Sequence, residues 1–222
     1  MSNTSSIARK VFMALTGFFL MFFLLQHLSI NMLSVISPDT FNEVSHFMGT
    51  NFLFQFLLQP ILIFAVIAHF VTGMILERKN RSSRDVKYAI NNGAANSTWM
   101  SRNMIISGLT VLAFLAMHFY DFWIPEITTK YINGDMTGLV NGEFRYYEEL
   151  VHKFQDPIRV ALYVVSFIML ALHLLHGFQS SFQSVGFNHN KYTPIIKKLS
   201  TAFGIVVPLG FAFVAIFHFL SH

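Results

Sequence analysis

The chain contains no cysteine, and this one absence excludes disulfides, iron–sulfur ligation, covalent c-type haem attachment and a redox dithiol. Charge is scarce too: only 12% of the 222 residues are Asp, Glu, Lys or Arg, about half the usual share of a soluble domain. Neither Gly-x-Gly-x-x-Gly nor Gly-x-x-x-x-Gly-Lys-Ser/Thr occurs, so no nucleotide-binding loop is visible. If such a chain handles electrons, histidine must hold the cofactor.

What is abundant is apolar side chain. The sequence is 54% hydrophobic with 26 phenylalanines, and its mean hydropathy is +0.52. Five uncharged runs stand out: Val11 to Pro38, Val44 to Leu76, Asn103 to Tyr120, Val160 to Asn190 and Leu199 to His222. At 1.5 Å per residue, roughly 20 residues cross the hydrocarbon of a bilayer, so each run supplies one helix. The expected fold is an all-α membrane bundle occupying 1–222 as one domain, with spans near 11–36, 53–76, 101–123, 158–182 and 197–220. The first run follows Arg9 and Lys10 as a signal peptide would, but it is too long for one and has no small-x-small cleavage site, so it reads as a retained helix.

The polar connections differ in sign. Between spans two and three lie Arg78, Lys79, Arg81, Arg84, Lys87 and Arg102, whereas the stretch from Asp121 to Arg159 is mostly acidic. Within the latter, Tyr131-Ile-Asn-Gly-Asp and Asn141-Gly-Glu read as turns, and Tyr146 to Gln155 as a short amphipathic helix at the interface. No residue-level repeat is evident. With the N-terminus inside, the inner segments hold eleven Lys and Arg and the outer ones only Lys130, Arg145, Lys153 and Arg159. This positive-inside bias places the N-terminus in the cytoplasm and His222 outside. The net charge of +4 is therefore an orientation signal, not a mark of nucleic-acid binding.

Orientation gives the histidines depths. His27 and His118 lie roughly 25 Å from the inner edge on spans one and three; His69 and His173 lie roughly 13 Å from it on spans two and four. An ionisable ring inside a bilayer is costly and needs a partner for each nitrogen. Bis-histidine ligation of haem iron satisfies one nitrogen with the metal and frees the other for a hydrogen bond. Two stacked haems b follow, one per pair. The competing reading is a set of interhelical hydrogen-bonding histidines in a haem-free transporter. His176, one turn beyond His173, competes for the inner site or bonds a propionate. His218 has no depth-matched partner, and His46, His152, His189 and His222 read as solvated. Gly17 and Gly108 each precede the outer histidine by ten residues, and Gly73 and Gly177 follow the inner one by a turn. Glycine at these levels suits a macrocycle wedged between helices, or ordinary small-residue packing. No Asp or Glu lies inside any run, so a transmembrane carboxylate relay is not supported.

The ordered set His27-Leu-Ser-Ile-Asn31, His69-Phe-Val-Thr-Gly73, Met117-His118-Phe-Tyr-Asp-Phe-Trp123, Asp156-Pro157-Ile-Arg-Val-Ala-Leu-Tyr163 and His173-Leu-Leu-His-Gly177 covers nearly the whole chain. It resembles the cytochrome b membrane anchors of bacterial succinate dehydrogenases and fumarate reductases, in their five-helix, two-haem, menaquinone-using form. The resemblance implies His69 and His173 as ligands of the haem proximal to cytoplasmic flavoprotein and iron–sulfur subunits, and His27 and His118 as ligands of the distal haem. It further implies a bacterial inner-membrane location and a menaquinone site near the distal haem. There Asn31, Glu43, His46, Tyr120, Asp121 and Trp123 are the polar and aromatic side chains available. Such an anchor does not itself bind succinate. A di-haem anchor of another respiratory enzyme, such as a formate dehydrogenase or hydrogenase, is the alternative electron carrier.

Overall fold

The computed structural model describes residues 6–82 and 103–222. The expected basic connection through Arg84, Lys87 and Arg102 lies outside the described residues, as does the start of the expected third span.

The first span is α1 (Ser6–Ile36). A short α2 (Pro38–Thr50) follows at once, with Pro38 in its first turn and the Ser37 side chain accepting from the Thr40 N–H at 3.3 Å. Proline is tolerated there because the first-turn N–H has no intrahelical acceptor. The second span enters through a π turn (Phe54–Leu58) and continues as α3 (Gln59–Ser82). The third begins as α4 (Met104–His118), passes a π turn (Phe119–Trp123), the four-residue α5 (Ile124–Ile127) and a second π turn (Thr128–Ile132). Prolines explain two of these turns. Pro60 and Pro125 have no N–H to donate back along the helix, and the ladder just before each widens: the Gln59 and Ile124 N–H groups donate to Phe54 and Phe119.

A two-stranded hairpin, β1 (Leu139–Val140) and β2 (Glu143–Phe144), turns on Asn141 and Gly142, both at positive φ. Next come α6 (Tyr146–Phe154), α7 (Pro157–Ser184) and α8 (Thr193–Ser221). The start of α7 repeats the logic of α2, the Asp156 side chain accepting from the Ile158 N–H at 2.9 Å with Pro157 after it. The expected turn at Asn141-Gly142 and the short helix after Arg145 are thus present, whereas Tyr131 and Ile132, expected in a turn, belong to the second π turn of the third span. The third helix, expected to close near residue 123, runs on to Ile132 and carries Asp121, Glu126 and Lys130 with it.

Among the described residues five helices are long and apolar enough to cross a membrane, and the protein is an all-α, multi-pass membrane bundle. α1, α7 and α8 pack at its centre, with α3 against α1 and α4 against α7. The core formed by Met21, Leu28, Tyr163, Phe167, Leu170, Leu174, Val207 and Phe211 continues into Phe41 of α2 and Leu150 and Phe154 of α6. These short helices therefore cap one end of the bundle. Phe22, Phe56, Phe64, Ile168 and Val206 point outward, as side chains facing lipid do. The α7–α8 contact depends on a buried glycine: a Cβ on Gly204 would lie 3.0 Å from the Leu175 backbone nitrogen and from its side chain. Gly204→Val is expected to force the helices apart at a cost of about 1–3 kcal/mol, read as a lower thermal unfolding midpoint in detergent.

Candidate functional site

The four depth-matched histidines meet in two pairs. On α1 and α4, the His27 and His118 ring centroids are 5.8 Å apart, nearly perpendicular at 85°. On α3 and α7, those of His69 and His173 are 6.3 Å apart at 67°. His173 rather than His176 is the residue opposite His69, and His176 stays half-buried one turn away. Aromatic rings wall the outer pair: Phe23 stacks on His27 at 5.3 Å, Phe114 on His118 at 5.7 Å, and Phe122 and Phe211 close the sides.

The surroundings of the inner pair repeat. The Thr16 Oγ1 of α1 is 3.1 Å from His69 Nδ1, and the Ser107 Oγ of α4 is 3.4 Å from His173 Nδ1. The glycine after each hydroxyl faces the same ring: a Cβ on Gly17 would lie 3.5 Å from His69 Cε1, and one on Gly108 would lie 3.6 Å from His173 Cε1. Gly73 and Gly177 match as well, each facing a methionine methyl, Met13 and Met104, at 3.4 Å. The chain thus holds one arrangement twice: Met13, Thr16, Gly17 and His27 with His69 and Gly73, then Met104, Ser107, Gly108 and His118 with His173 and Gly177. Sequence reading found the glycines and histidines but no repeat, because the conserved spacing is carried by a few positions among interchangeable apolar residues. The hydroxyls, a Thr matched to a Ser, were missed.

These residues fit a haem. Two imidazoles on opposite sides of one metal, with bonds of about 2 Å each, have ring centres about 6 Å apart, close to both observed separations. Among the described residues no three His, Asp or Glu side chains gather around a metal-sized point. Each pair thus offers two nitrogen donors, the number that a haem iron takes from protein. His118 Nδ1 is buried without a hydrogen-bond partner among the described residues, whereas Nδ1 of each inner histidine faces a hydroxyl.

The six side chains singled out at the outer end do not converge. Asn31 is occupied within its own helix, its Nδ2 donating to the His27 carbonyl at 2.8 Å. Glu43 is exposed on α2, while Tyr120 and Trp123 lie on the exposed side of their helix. Asp121 points the other way, 2% exposed, where it pairs with Arg159 and accepts from the Tyr163 hydroxyl at 2.9 Å. His46 is half-buried rather than solvated: it stacks on Phe144 at 4.4 Å and faces the Tyr146 hydroxyl at 3.3 Å. Burial, then the Glu126 carboxylate, raise the Tyr146 pKa to about 12. The phenol therefore stays protonated at neutral pH beside His46 Nδ1.

A covered charge cluster holds the cap together. Lys130, 1% exposed, bonds the Gly49 carbonyl of α2 and the Glu126 carboxylate. Arg145 pairs with Glu126 and Glu149. Against the cost of burial, these two carboxylates raise the Arg145 pKa above its usual value. His218, left without a partner by the depth reading, is fully buried, with Nε2 2.8 Å from the Ser34 hydroxyl and its ring against Tyr147 and His222.

Comparison with known proteins gives one informative similarity. The chain is 23% identical over 207 residues to the succinate dehydrogenase cytochrome b558 subunit of Bacillus subtilis (strain 168), covering 89% of each chain. No family model matches the chain. No solved structure matches it either.

Proposed function

Taking as premise the similarity of the chain to a succinate dehydrogenase cytochrome b subunit, we propose that it is the di-haem b membrane anchor of a succinate:quinone oxidoreductase. It would carry electrons between flavoprotein and iron–sulfur subunits and menaquinone. The observation that carries the reading is the double histidine pairing, at 5.8 Å and 6.3 Å, on alternate helices of a five-span bundle.

In this reading His69 and His173 hold the inner haem and His27 and His118 the outer one. Haem supplies one-electron chemistry when bound. The chain supplies the rest: histidines on rigid helices rather than loops, aromatic rings that exclude water, and a low-dielectric surround. The excess of Lys and Arg on the inner segments supports a cytoplasmic N-terminus and an inner face to which peripheral subunits dock. Menaquinone, and its place near the outer pair, rest on the family resemblance.

A reduced-minus-oxidised absorbance spectrum of the purified protein tests the haem reading, with b-type bands and two haems per chain expected. Affinity purification from membranes tests the partner. Flavoprotein and iron–sulfur proteins are expected to copurify, whereas a molybdenum or nickel–iron enzyme in their place would assign the chain to another respiratory complex.

A further inference from the structure

Thr16 and Ser107 are the hydroxyls that the proposed electron path does not use. Each hydroxyl has a single hydrogen, and the structure limits where it goes. Thr16 Oγ1 lies 2.9 Å from the Met13 carbonyl and 3.1 Å from that of Phe12, and Ser107 Oγ lies 3.0 Å from the Met104 carbonyl. Carbonyl oxygens only accept, so each gives the hydroxyl hydrogen an acceptor along its own helix. With the hydrogen placed there, each hydroxyl presents a lone pair to the neighbouring histidine, and the nitrogen facing it, Nδ1, carries the proton. A neutral imidazole protonated at Nδ1 has its lone pair at Nε2.

Back-bonding of Ser or Thr to a carbonyl one turn earlier is common in helices and alone means little. Here the second lone pair is used, and used twice. Gly17 and Gly108, each directly after the hydroxyl, face the ring edge that bears Nδ1, a Cβ at either position coming to ordinary contact with Nδ1 at 3.9 Å. The outer pair has no counterpart, since His118 Nδ1 is unpartnered.

We propose that Thr16 and Ser107 are positioning residues that accept the Nδ1–H of His69 and His173, fixing the tautomer and ring orientation that leave Nε2 free to bind haem iron. The proposal rests on the haem reading above for its last step only. A hydrogen bond from Nδ1–H makes the ligating nitrogen a better electron donor and stabilises the ferric state. Removing the acceptor therefore raises the reduction potential of the haem concerned.

The test is a potentiometric measurement on the purified complex, followed optically and by the low-spin ferric electron paramagnetic resonance signals. Thr16→Val and Ser107→Ala are each expected to shift the inner haem to higher potential and change its resonance signal, with the outer haem unmoved. Thr16→Ser and Ser107→Thr, which keep the hydroxyl, are expected to restore wild-type values. A retained outer haem in each variant shows that the bundle has folded. Unchanged potentials and signals in both Thr16→Val and Ser107→Ala would overturn the proposal.

Should the wild-type protein carry no haem, the functional reading fails, and ¹⁵N chemical shifts of the full chain in detergent decide the tautomer separately. Nδ1–H at His69 and His173, lost in Thr16→Val and Ser107→Ala respectively, upholds the hydroxyl lock. Nε2–H in the wild type refutes it.

Discussion

Replacing His69 or His173 with alanine is expected to reduce the haem content from two per chain to one, and replacing His27 or His118 to remove the other haem. The effect should be all-or-none for each pair. Each pair would hold one haem iron through both imidazoles, so deleting one ring would remove half of the protein's donors, and no replacement donor is in place: among the described residues no third His, Asp or Glu joins either pair. The outer pair should survive loss of the inner one, because its aromatic walls come from Phe23, Phe114, Phe122 and Phe211 and not from residues around His69. Haem extraction with pyridine haemochromogen quantitation checks the count. Two haems retained in His173→Ala would move the inner ligand to His176, one turn along α7. Two haems retained in His69→Ala would remove the inner pair from the proposal altogether.

Asp121→Ala is expected to be the most destabilising single change outside the histidines. The Asp121 side chain is fully buried and that of Arg159 is one quarter exposed. Deleting the carboxylate leaves a guanidinium and the Tyr163 hydroxyl without their acceptor in an apolar surround. Breaking a buried pair from one side costs about 3–5 kcal/mol, and the partial exposure of Arg159 places the expected loss near the lower figure. Tyr163 also packs against Phe114, Phe154 and Phe167 and lies 6.4 Å from the His118 ring. A loosened Tyr163 should therefore disturb the outer pair before the inner. Thermal unfolding in detergent measures the loss. The double variant Asp121→Ala with Arg159→Leu is expected to recover part of it, because no uncompensated charge remains. A double variant as unstable as the sum of the two single ones would mean that the ion pair is not the cause.

Depth along the membrane normal was readable from the sequence, and the reason is geometrical. Helix rise is uniform, so counting residues from the charged edge of each span placed His27 with His118 and His69 with His173 before any contact was known. Rotation about the helix axis was not readable in the same way. Pro125 shifts the hydrogen-bond register ahead of it, and the resulting π turn accompanies an Asp121 aimed at α7 while Tyr120 and Trp123 stay exposed. A list of polar residues at one level therefore mixed side chains that face opposite ways. His46 was misread for a related reason: its neighbours Phe144 and Tyr146 come from a hairpin and helix about a hundred residues later.

The sequence by itself determined the solvent, the number of spans, the expected orientation and the levels of the histidines, since each depends on composition or on distance along one helix. The tertiary structure alone decided which ring faces which, setting His173, already favoured over His176 by the sequence, against His69. It also brought Thr16 and Ser107 to the Nδ1 atoms, buried Asp121 against Arg159 and folded α2, the hairpin and α6 into a cap. Each of these depends on the facing of two separate elements, which packing sets and no local pattern records.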